Sequence, residues 1–368
     1  MTFKGLRVAL VGPLPPPAGG MANQTRQLAE LLRGEGATVE VVQVNAPYRP
    51  AWVGRVQGLR ALARLLPYLW ALLRAAGRAD VMHVMANSGW SWHLFAAPAV
   101  WIASLRGVPV IVNYRGGEAE PFLQRSVASI RPTMARVAQL VLPSGFLQEV
   151  FARFGMQGRV VSNIIDLARF SPVPPKGGAH LMVARNLEAI YGIDTALRAF
   201  AIVHAARPDA VLSVAGSGPL EGALKALAAE LGVAAHVRFT GRLDRDQMAA
   251  LYRDADLSLN PSRVDNMPNS VLESLASGVP VVSTDVGGIP YIVRHGQTAL
   301  LVPRDAPEAM AAEALRVLGD ATLAAALREA GLAEVRRYSW QAVRSELLAA
   351  YMDAMRRPHQ PADRRTKD

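Results

Sequence analysis

Short runs of Val, Ile, Leu and Ala alternate along the chain with longer segments in which apolar residues recur every three or four positions. Runs of the first kind are typical of buried parallel strands, and segments of the second kind are typical of helices that pack on a sheet. In the first half of the chain, the strands predicted in this way are 6–12, 38–44, 80–85, 108–113, 141–144 and 158–163. The clearest helices predicted between them are 22–34 and 91–105.

Residues 171–178 interrupt this pattern with three prolines and two glycines, which is typical of a linker. The alternation then restarts, with predicted strands at 180–184, 210–215, 236–240, 257–260, 280–283 and 299–302. The predicted helices of this half are 193–206, 219–231, 246–254, 269–277 and 306–318. Both halves therefore read as doubly wound α/β units, and ligands of such sheets bind beyond the carboxyl ends of the strands.

The predicted domain division follows from the linker. We expect an N-terminal domain of residues 1–172 and a C-terminal domain of residues 173–340, facing each other across a cleft. Residues 341–368 are predicted to form a helix and a polar tail that cross back to the N-terminal domain.

Length and composition agree with a globular protein of two domains. The 368 residues exceed what one hydrophobic core usually serves, and 51% of them are hydrophobic whereas 19% are charged. Cysteine is absent, which excludes disulfides, thiolate metal sites and cysteine nucleophiles. Residues 6–12 are too short for a secretory signal, and no apolar run is long enough to span a membrane, so we expect a cytoplasmic location.

The positive charge is confined to the first half of the chain. Residues 1–170 hold 18 Lys and Arg against 8 Asp and Glu, whereas residues 171–368 hold 22 of each kind. Such asymmetry indicates an acidic partner, namely nucleic acid, anionic lipid or a phosphorylated substrate, or else a solvated basic surface. The basic residues have few aromatic neighbours and form no known nucleic-acid-binding module, so we predict no nucleic-acid partner.

Residues 52–78 combine an apolar helical repeat with five arginines. The repeat comprises Val56, Leu59, Leu62, Leu66, Leu69 and Leu73, and the arginines are Arg55, Arg60, Arg64, Arg74 and Arg78. One hypothesis is a basic amphipathic helix that docks the protein on the cytoplasmic face of an anionic membrane. The alternative is a helix packed on the core with solvated arginines.

The segment 260–280 carries the strongest candidate chemistry. A strand is predicted to end near Asn260, and a helix to begin at Asn269 or Ser270, either of which is a suitable cap. Free N–H groups at such a helix start bind anions. Glu273, one turn inside the helix, is placed to accept hydrogen bonds from the diol of a ribose, and Asp265 from the hydroxyls of a sugar. The alternative is a capped helix whose Glu273 only complements the helix dipole.

Other candidates lie where strands meet helices. Arg185 follows a strand and suits a diphosphate, although a surface salt bridge is the alternative. The loops with Gly19 and Gly20, and with Gly216 and Gly218, let backbone N–H groups approach an anion, or else form ordinary turns.

His83 is either a ligand-facing residue or a buried, hydrogen-bonded one. The triplets Asp244-Arg245-Asp246 and Asp254-Ala255-Asp256 lie at helix ends, where capping and turn roles explain them. We therefore predict no metal site and no cofactor.

The order of these segments resembles that of the retaining glycosyltransferases of family four, from about residue 6 to about residue 340. The motifs that carry the resemblance are Pro143-Ser144, Asn163–Asp166 with Phe170, Ala215–Pro219, Val237–Gly241, Asp265 with Glu273, Leu275–Pro280, Gly287–Pro290, His295-Gly296 and Leu301–Pro303. The resemblance implies a GT-B fold and transfer of a sugar from a UDP- or GDP-type donor to a glycan or lipid-linked acceptor.

The resemblance also implies roles for single residues. Glu273 is expected to bind the ribose and Arg185 the β-phosphate, while Gly19 and Gly20 let the N-terminal domain approach the phosphates. Gly216 and Gly218 are expected to contribute to donor binding. The residues expected at the donor sugar and the adjoining phosphate are Asp265, Asn266, Met267, Pro268, Asn269 and Ser270.

Three positions depart from the family pattern. Tyr191 stands where the family usually has a lysine that binds the diphosphate, and Asp265 replaces a glutamate. Arg115 stands where many members have a histidine, and our hypothesis is that Arg115 supplies the missing positive charge. These departures leave a non-catalytic nucleotide- or sugar-binding protein of the same fold as the alternative.

Overall fold

The computed structural model describes residues 2–16, 19–48, 52, 56 and 59–356. The chain forms two compact units. The first comprises residues 1–162 together with the C-terminal residues from Val343 onward, and the second comprises Asn163–Ala342. The polar tail beyond Arg356 lies outside the described residues.

The first unit is built on a parallel sheet of six strands in the order β2-β1-β3-β4-β5-β6. These strands are β1 (Arg7–Gly12), β2 (Thr38–Gln43), β3 (Val81–Ala86), β4 (Val110–Tyr114), β5 (Gln139–Leu142) and β6 (Arg159–Val160). Its helices are α1 (Gly20–Gly34), α2 (Leu59–Ala76), a π-helical turn (Trp92–Ala96) that leads into α3 (Ala97–Leu105), α4 (Ala119–Met134) and α5 (Gly145–Arg153). All six predicted strands are confirmed, to within a few residues at their ends.

The second unit contains a parallel sheet in the order β12-β11-β10-β7-β8-β9. Its strands are β7 (His180–Ala184), β8 (Val211–Ala215), β9 (Val237–Gly241), β10 (Leu257–Asn260), β11 (Val281–Thr284) and β12 (Leu300–Val302). Its helices are α6 (Ile193–Ala206), α7 (Glu221–Glu230), α8 (Arg245–Asp254), α9 (Asn269–Ala276), α10 (Pro307–Gly319) and α11 (Ala321–Val335). The last helix, α12 (Trp340–Arg356), begins in this unit and continues in the first. The predicted doubly wound α/β architecture is thus confirmed.

Residues 163–172 belong to the second unit, although the sequence places them in the N-terminal domain. Apolar packing explains the difference, because Ile165 and Phe170 lie in a core cluster with Met182 and Leu272. The Pro- and Gly-rich segment 171–178 has no regular secondary structure, as predicted.

Each sheet has one point at which the strand order reverses, between β1 and β3 in the first unit and between β7 and β10 in the second. Strands that diverge at such a point leave a crevice beyond their carboxyl ends, and open α/β sheets bind their ligands there. A ligand site is therefore expected among the residues that follow these strands.

Candidate active site

Arg185 bridges the reversal point of the second sheet. It follows β7 directly, and its Nε donates a hydrogen bond of 3.0 Å to Oδ1 of Asn260, the last residue of β10. Asn260 is buried, and its Nδ2 donates to Ser283 Oγ on β11 at 2.8 Å. The guanidinium is thereby fixed beyond three neighbouring strands.

Asp265 forms a buried ion pair with Arg185. The side chains are 11% and 12% exposed, and Arg185 Nη2 donates to Asp265 Oδ2. Burial raises the pKa of the Asp265 carboxyl, while the Arg185 charge, the Ser262 hydroxyl and the backbone N–H groups of Asn266 and Met267 oppose that rise. The loop thus brings a carboxylate, an arginine and two backbone N–H groups that donate to that carboxylate together.

Two glycines, Gly287 and Gly288, pack against the backbone of the loop that carries Asp265. Gly288 N donates to the Asp265 carbonyl oxygen at 2.8 Å. A Cβ at Gly287 would clash with the same oxygen, and its φ of 55° also favours glycine. The glycine pair belongs to the motifs that carry the family resemblance, and its contribution here is to position the acidic loop.

The start of α9 differs from the prediction. We expected Asn269 or Ser270 to cap the helix, but the N-cap residue is Pro268, and no side chain caps the helix. The reason is that Asn269 Oδ1 instead accepts a hydrogen bond of 2.6 Å from Asn163 Nδ2, which also donates to the Met267 carbonyl oxygen at 3.1 Å. The hydroxyl of Ser270 is buried and has no hydrogen-bond partner among the described residues.

Glu273 lies one turn inside α9 and is partly buried. The hydroxyl of the fully buried Tyr252 donates to Glu273 Oε2 at 3.2 Å. Burial raises the pKa of Glu273 to about 7, against the opposing effects of Tyr252, Arg245 and Arg185. A carboxyl with such a pKa is poorly satisfied by its own protein, which is typical of a residue that meets a ligand.

Gly216 and Gly218 are required by close packing. A Cβ at Gly216 would clash with the carbonyl oxygen of Arg185, and one at Gly218 with that of Leu187. The two loops run side by side, with Arg185 N donating to Ala215 O at 3.0 Å. The glycines thus position Arg185, and their direct contribution to donor binding stays a prediction.

Tyr191 packs against Arg185, with the guanidinium carbon 5.2 Å from the centre of the tyrosine ring. Burial raises the pKa of the Tyr191 hydroxyl, so the residue is neutral. Tyr191 therefore adds cation–π support to Arg185, whereas a lysine would add a second cation.

In the first unit, Arg115 follows β4, and its guanidinium contacts the neutral amide of Asn113. Its Nε donates to Asn113 Oδ1 at 2.8 Å, and its buried Nη1 has no hydrogen-bond partner in the described part of the chain. Burial lowers the pKa of Arg115 to about 10. An arginine of this kind suits an anion that comes from outside the protein.

The predicted glycine loop of the first unit leads into α1. Gly19 is the N-cap residue, with open space around its Cβ position, and Gly20 is the first residue of the helix. Gly12, at the end of β1, is tightly packed, because a Cβ there would lie 2.7 Å from Thr25 Oγ1 and 3.1 Å from Met85 Cβ. A role of Gly19 and Gly20 toward phosphate stays a prediction.

His83 is fully buried in β3 and hydrogen-bonded, which confirms the second of its two interpretations. The capping role of the first acidic triplet is also confirmed, whereas Asp254 and Asp256 of the second bond to residues 176–180 and not within their own turn. Asp244 forms a capping box with Gln247 at the start of α8, and Asp256 accepts hydrogen bonds from the backbone of Gly178 and His180. Within the described ranges, no group of three His, Asp or Glu side chains is arranged to bind a metal ion.

Helix α2 has a buried face and an exposed apolar face. Tyr68 and Leu72 are buried, whereas Leu66 and Trp70 are each 62% exposed and Leu73 is 46% exposed. Arg55 and the side chains of Leu59, Arg60 and Leu62 lie outside the described residues. No helix in the described part of the chain is long and apolar enough to cross a membrane.

Two family models match the chain. Residues 179–320 match "Glycosyl transferases group 1", and residues 19–163 match "Glycosyl transferase 4-like domain". Among curated proteins, D-inositol 3-phosphate glycosyltransferase of Thermobispora bispora is 30% identical over 319 residues, which cover 77% of this chain and 72% of the relative. The match therefore includes both units.

Solved structures show the same fold at low sequence identity. Sucrose-phosphate synthase of Thermosynechococcus elongatus has a TM-score of 0.74 at 20% identity, over 94% of this chain and 98% of the other. HepE of Anabaena in complex with UDP-glucose has a TM-score of 0.72 at 15% identity, over 94% and 99% of the two chains. Both of these neighbours support the GT-B arrangement of two Rossmann-like domains.

Sequence reasoning missed the polar residues that hold the predicted site residues. They are Asn260, Ser262, Tyr252, Asn163, Asn113 and Tyr351. Asn260 ends a strand beside the loop that carries Asp265, and this position in the sequence could have identified Asn260 as a site residue. Asn163 and Tyr351 lie 106 and 268 residues from their partners, so sequence spacing gave no signal.

Proposed function

The chain belongs to the group 1 glycosyltransferases, and we propose that it transfers a sugar, with retention of anomeric configuration, from a UDP- or GDP-type nucleotide sugar to a glycan or lipid-linked acceptor. The observation that carries the proposal is the pairing of Arg185 with Asp265 at the reversal point of the second sheet, beside the uncapped start of α9. Guanidinium and helix N–H groups suit a diphosphate, and the carboxylate suits sugar hydroxyls.

Glu273 extends this arrangement to the nucleoside. As a carboxylate it accepts two hydrogen bonds from the ribose diol, which replace the solvation that burial removes. Asp265 binds the donor sugar, the segment Asn266–Asn269 adjoins the sugar and the phosphate, and Arg185 meets the phosphate. Binding of the donor therefore requires Arg185 to share its charge between Asp265 and the phosphate.

Charge develops on the departing nucleoside diphosphate as the glycosidic bond to phosphate breaks. In this proposal Arg185 stabilises that charge, and no metal ion takes part. Arg115 of the first unit is proposed to bind an anionic group of the substrate. The presence of UDP-glucose in HepE supports a nucleotide sugar as the donor class. The UDP- or GDP-type base and the transferred sugar are to be identified by experiment.

The test is direct. The purified protein is incubated with UDP- and GDP-sugars, and release of the nucleoside diphosphate is measured with added EDTA and without it. Proton NMR of the product then gives its anomeric configuration. We expect release from one donor, unaffected by EDTA, and a product with the configuration of the donor. Tight binding of a nucleotide without any release favours the alternative, a non-catalytic binding protein.

We further propose that the exposed apolar face of α2 docks on an anionic membrane, which brings the enzyme to a lipid-linked acceptor. Leu66, Trp70 and Leu73 lie one helical turn apart on this face, and Arg74 stacks on Trp70 with its guanidinium carbon 5.4 Å from the ring centre. The excess of arginine and lysine in residues 1–170 supplies the complementary charge.

Sedimentation with vesicles tests this docking. We expect binding to vesicles that contain phosphatidylserine, weak binding to phosphatidylcholine alone, and loss of binding in the double variant Leu66→Ser and Trp70→Ser. The control is Leu105→Ser, since Leu105 is an apolar residue of the same unit that is 80% exposed outside α2. Equal sedimentation with both kinds of vesicle contradicts the docking proposal and leaves the sugar transfer untouched.

A further inference from the structure

A row of polar side chains crosses the first unit from α12 to Arg115. Tyr351 Oη on α12 lies 2.8 Å from His83 Nδ1, and His83 Nε2 lies 3.0 Å from Asn113 Nδ2. Asn113 Oδ1 in turn accepts from Arg115 Nε at 2.8 Å. Tyr351, His83 and Asn113 are buried, with at most 1% of each exposed.

The guanidinium fixes the direction of every hydrogen bond in this row. Arginine only donates, so the oxygen of the Asn113 amide faces Arg115 and its NH₂ group faces His83. His83 Nε2 must then accept, and burial with the nearby Arg115 charge lowers the pKa of His83 to about 3, so the ring is neutral. Its proton therefore resides on Nδ1 and is donated to Tyr351 Oη. A single arrangement of protons satisfies all three bonds.

We propose that Asn113, His83 and Tyr351 are positioning residues that hold Arg115 with Nη1 available for an anionic group of the substrate, a phosphate or a carboxylate. The inference rests on the proposed function, because the anion belongs to a substrate of this site. Neutral partners restrain the guanidinium at Nε without neutralising it. A carboxylate in the place of Asn113 would pair with the charge and compete with the substrate anion.

The far end of the row is itself fixed. The ring of Tyr351 packs edge-on against Phe3, with centroids 5.8 Å apart, and lies at a tilt of 41° to the His83 ring, with centroids 5.6 Å apart. The helix α12 that carries Tyr351 begins at Trp340 in the second unit. The C-terminal helix thus contributes a polar contact to the site of the first unit, besides its apolar packing.

The proton arrangement is measurable without any substrate. Nitrogen-15 NMR of the full-length protein, with the His83 signal assigned through His83→Gln, distinguishes a protonated ring nitrogen from a bare one. We expect His83 to carry its proton on Nδ1 in the wild type. In Arg115→Met the Asn113 amide is free to turn, and we expect a proton on Nε2 in part of the molecules. In Asn113→Asp, where residue 113 only accepts, Nε2 becomes protonated.

A wild-type His83 with its proton on Nε2, or a His83 spectrum that is identical in wild type and Arg115→Met, overturns the proposal. The effect of the variants on turnover is the second test of the proposal. We expect Tyr351→Phe to lower kcat/KM about ten- to hundredfold by displacing Arg115, and His83→Gln, which can both accept and donate, to retain more activity than His83→Leu. Unchanged kcat/KM in Tyr351→Phe also overturns the proposal.

The matched control is Thr133→Val, which deletes another, partly buried hydrogen bond of the first unit, that from Trp101 Nε1 to Thr133 Oγ1 at 2.9 Å. We expect it to lower the melting temperature without a change in kcat/KM. If the wild type transfers no sugar at all, the proposed function fails while the NMR arm still decides whether the row positions Arg115. The two failures are therefore distinguishable.

Discussion

Arg115 follows β4 in the first unit and Arg185 follows β7 in the second, but the two guanidinium groups are held in opposite ways. Arg185 is paired with a buried carboxylate, Asp265. Arg115 is restrained by the neutral Asn113 and forms no ion pair with any residue that the structure describes. The first arginine has its counter-charge within the protein, whereas the second lacks one.

This difference separates the contribution of a buried charge to stability from its contribution to activity. A paired arginine stabilises the fold and must exchange partners when an anion binds, so its removal should reduce both stability and activity. An unpaired arginine costs stability, since burial disfavours its charge without compensation. Its retention is then explained by binding or catalysis, and its removal should reduce activity alone.

The largest effect is expected for Arg185→Met. Loss of the guanidinium leaves Asp265 buried without its partner and removes the charge that stabilises the departing phosphate. We expect turnover to fall on the order of a thousandfold and the free energy of unfolding to fall by about 3 kcal/mol. Donor turnover and urea unfolding measure the two effects. Arg207→Met, which breaks an exposed pair with Asp209, is the control and should change neither.

Arg115→Met is the counterpart in the first unit. We expect turnover to fall about a hundredfold, while the melting temperature stays the same or rises, because a buried charge without a counter-ion is removed. A lower melting temperature with full turnover would contradict this expectation, because it would show that Arg115 contributes to stability and not to activity.

Glu273→Gln removes a titrating carboxyl from the second unit, and its effect on stability should depend on pH. The pKa of Glu273 is raised to about 7, so between pH 4.5 and 7 the folded protein holds a proton that the unfolded chain has lost. Stability contributed by this group therefore falls as the pH rises through that window, by up to ~3 kcal/mol. We expect Glu273→Gln to melt higher than the wild type at pH 8, and the difference to vanish near pH 4.

The same variant should bind its nucleotide about tenfold more weakly at pH 8, since an amide accepts only one of the two ribose hydrogen bonds well. For the wild type, affinity should fall as the pH drops below 7 and Glu273 becomes protonated. Isothermal titration at pH 6 and pH 8 measures both effects. An affinity that is independent of pH and of the substitution would remove Glu273 from the ribose site.

Sequence reasoning predicted the strands well because buried parallel strands are short apolar runs with clear ends. The family resemblance implied one donor site for Arg185, Asp265 and Glu273, and the structure pairs the first two of them. The cap of α9 was predicted wrongly, because Asn269 bonds to Asn163, a contact 106 residues away that local cap preferences do not include.

The residues that hold Arg115 could not be predicted from the sequence either, because they are in contact although they lie far apart along the chain. Asn113 is close in sequence and was visible, but Tyr351 reaches His83 only because α12 packs on the first unit. Nothing in the amphipathic pattern of α12 distinguishes a tyrosine that packs from one that also accepts a hydrogen bond. Likewise, the raised pKa of Glu273 depends on how deeply α9 is buried, which only the packed structure shows.

A nucleotide that binds the second unit through Arg185, Asp265 and Glu273 should stabilise the folded protein. The most direct measurement is thermal unfolding in the presence of UDP, GDP and ADP, with EDTA and without it. Binding to the folded state alone adds about 2.7 kcal/mol at a hundred times the dissociation constant. We expect a higher melting temperature with UDP or GDP, unaffected by EDTA and lost in Glu273→Ala. An unchanged melting temperature with all three nucleotides would contradict it.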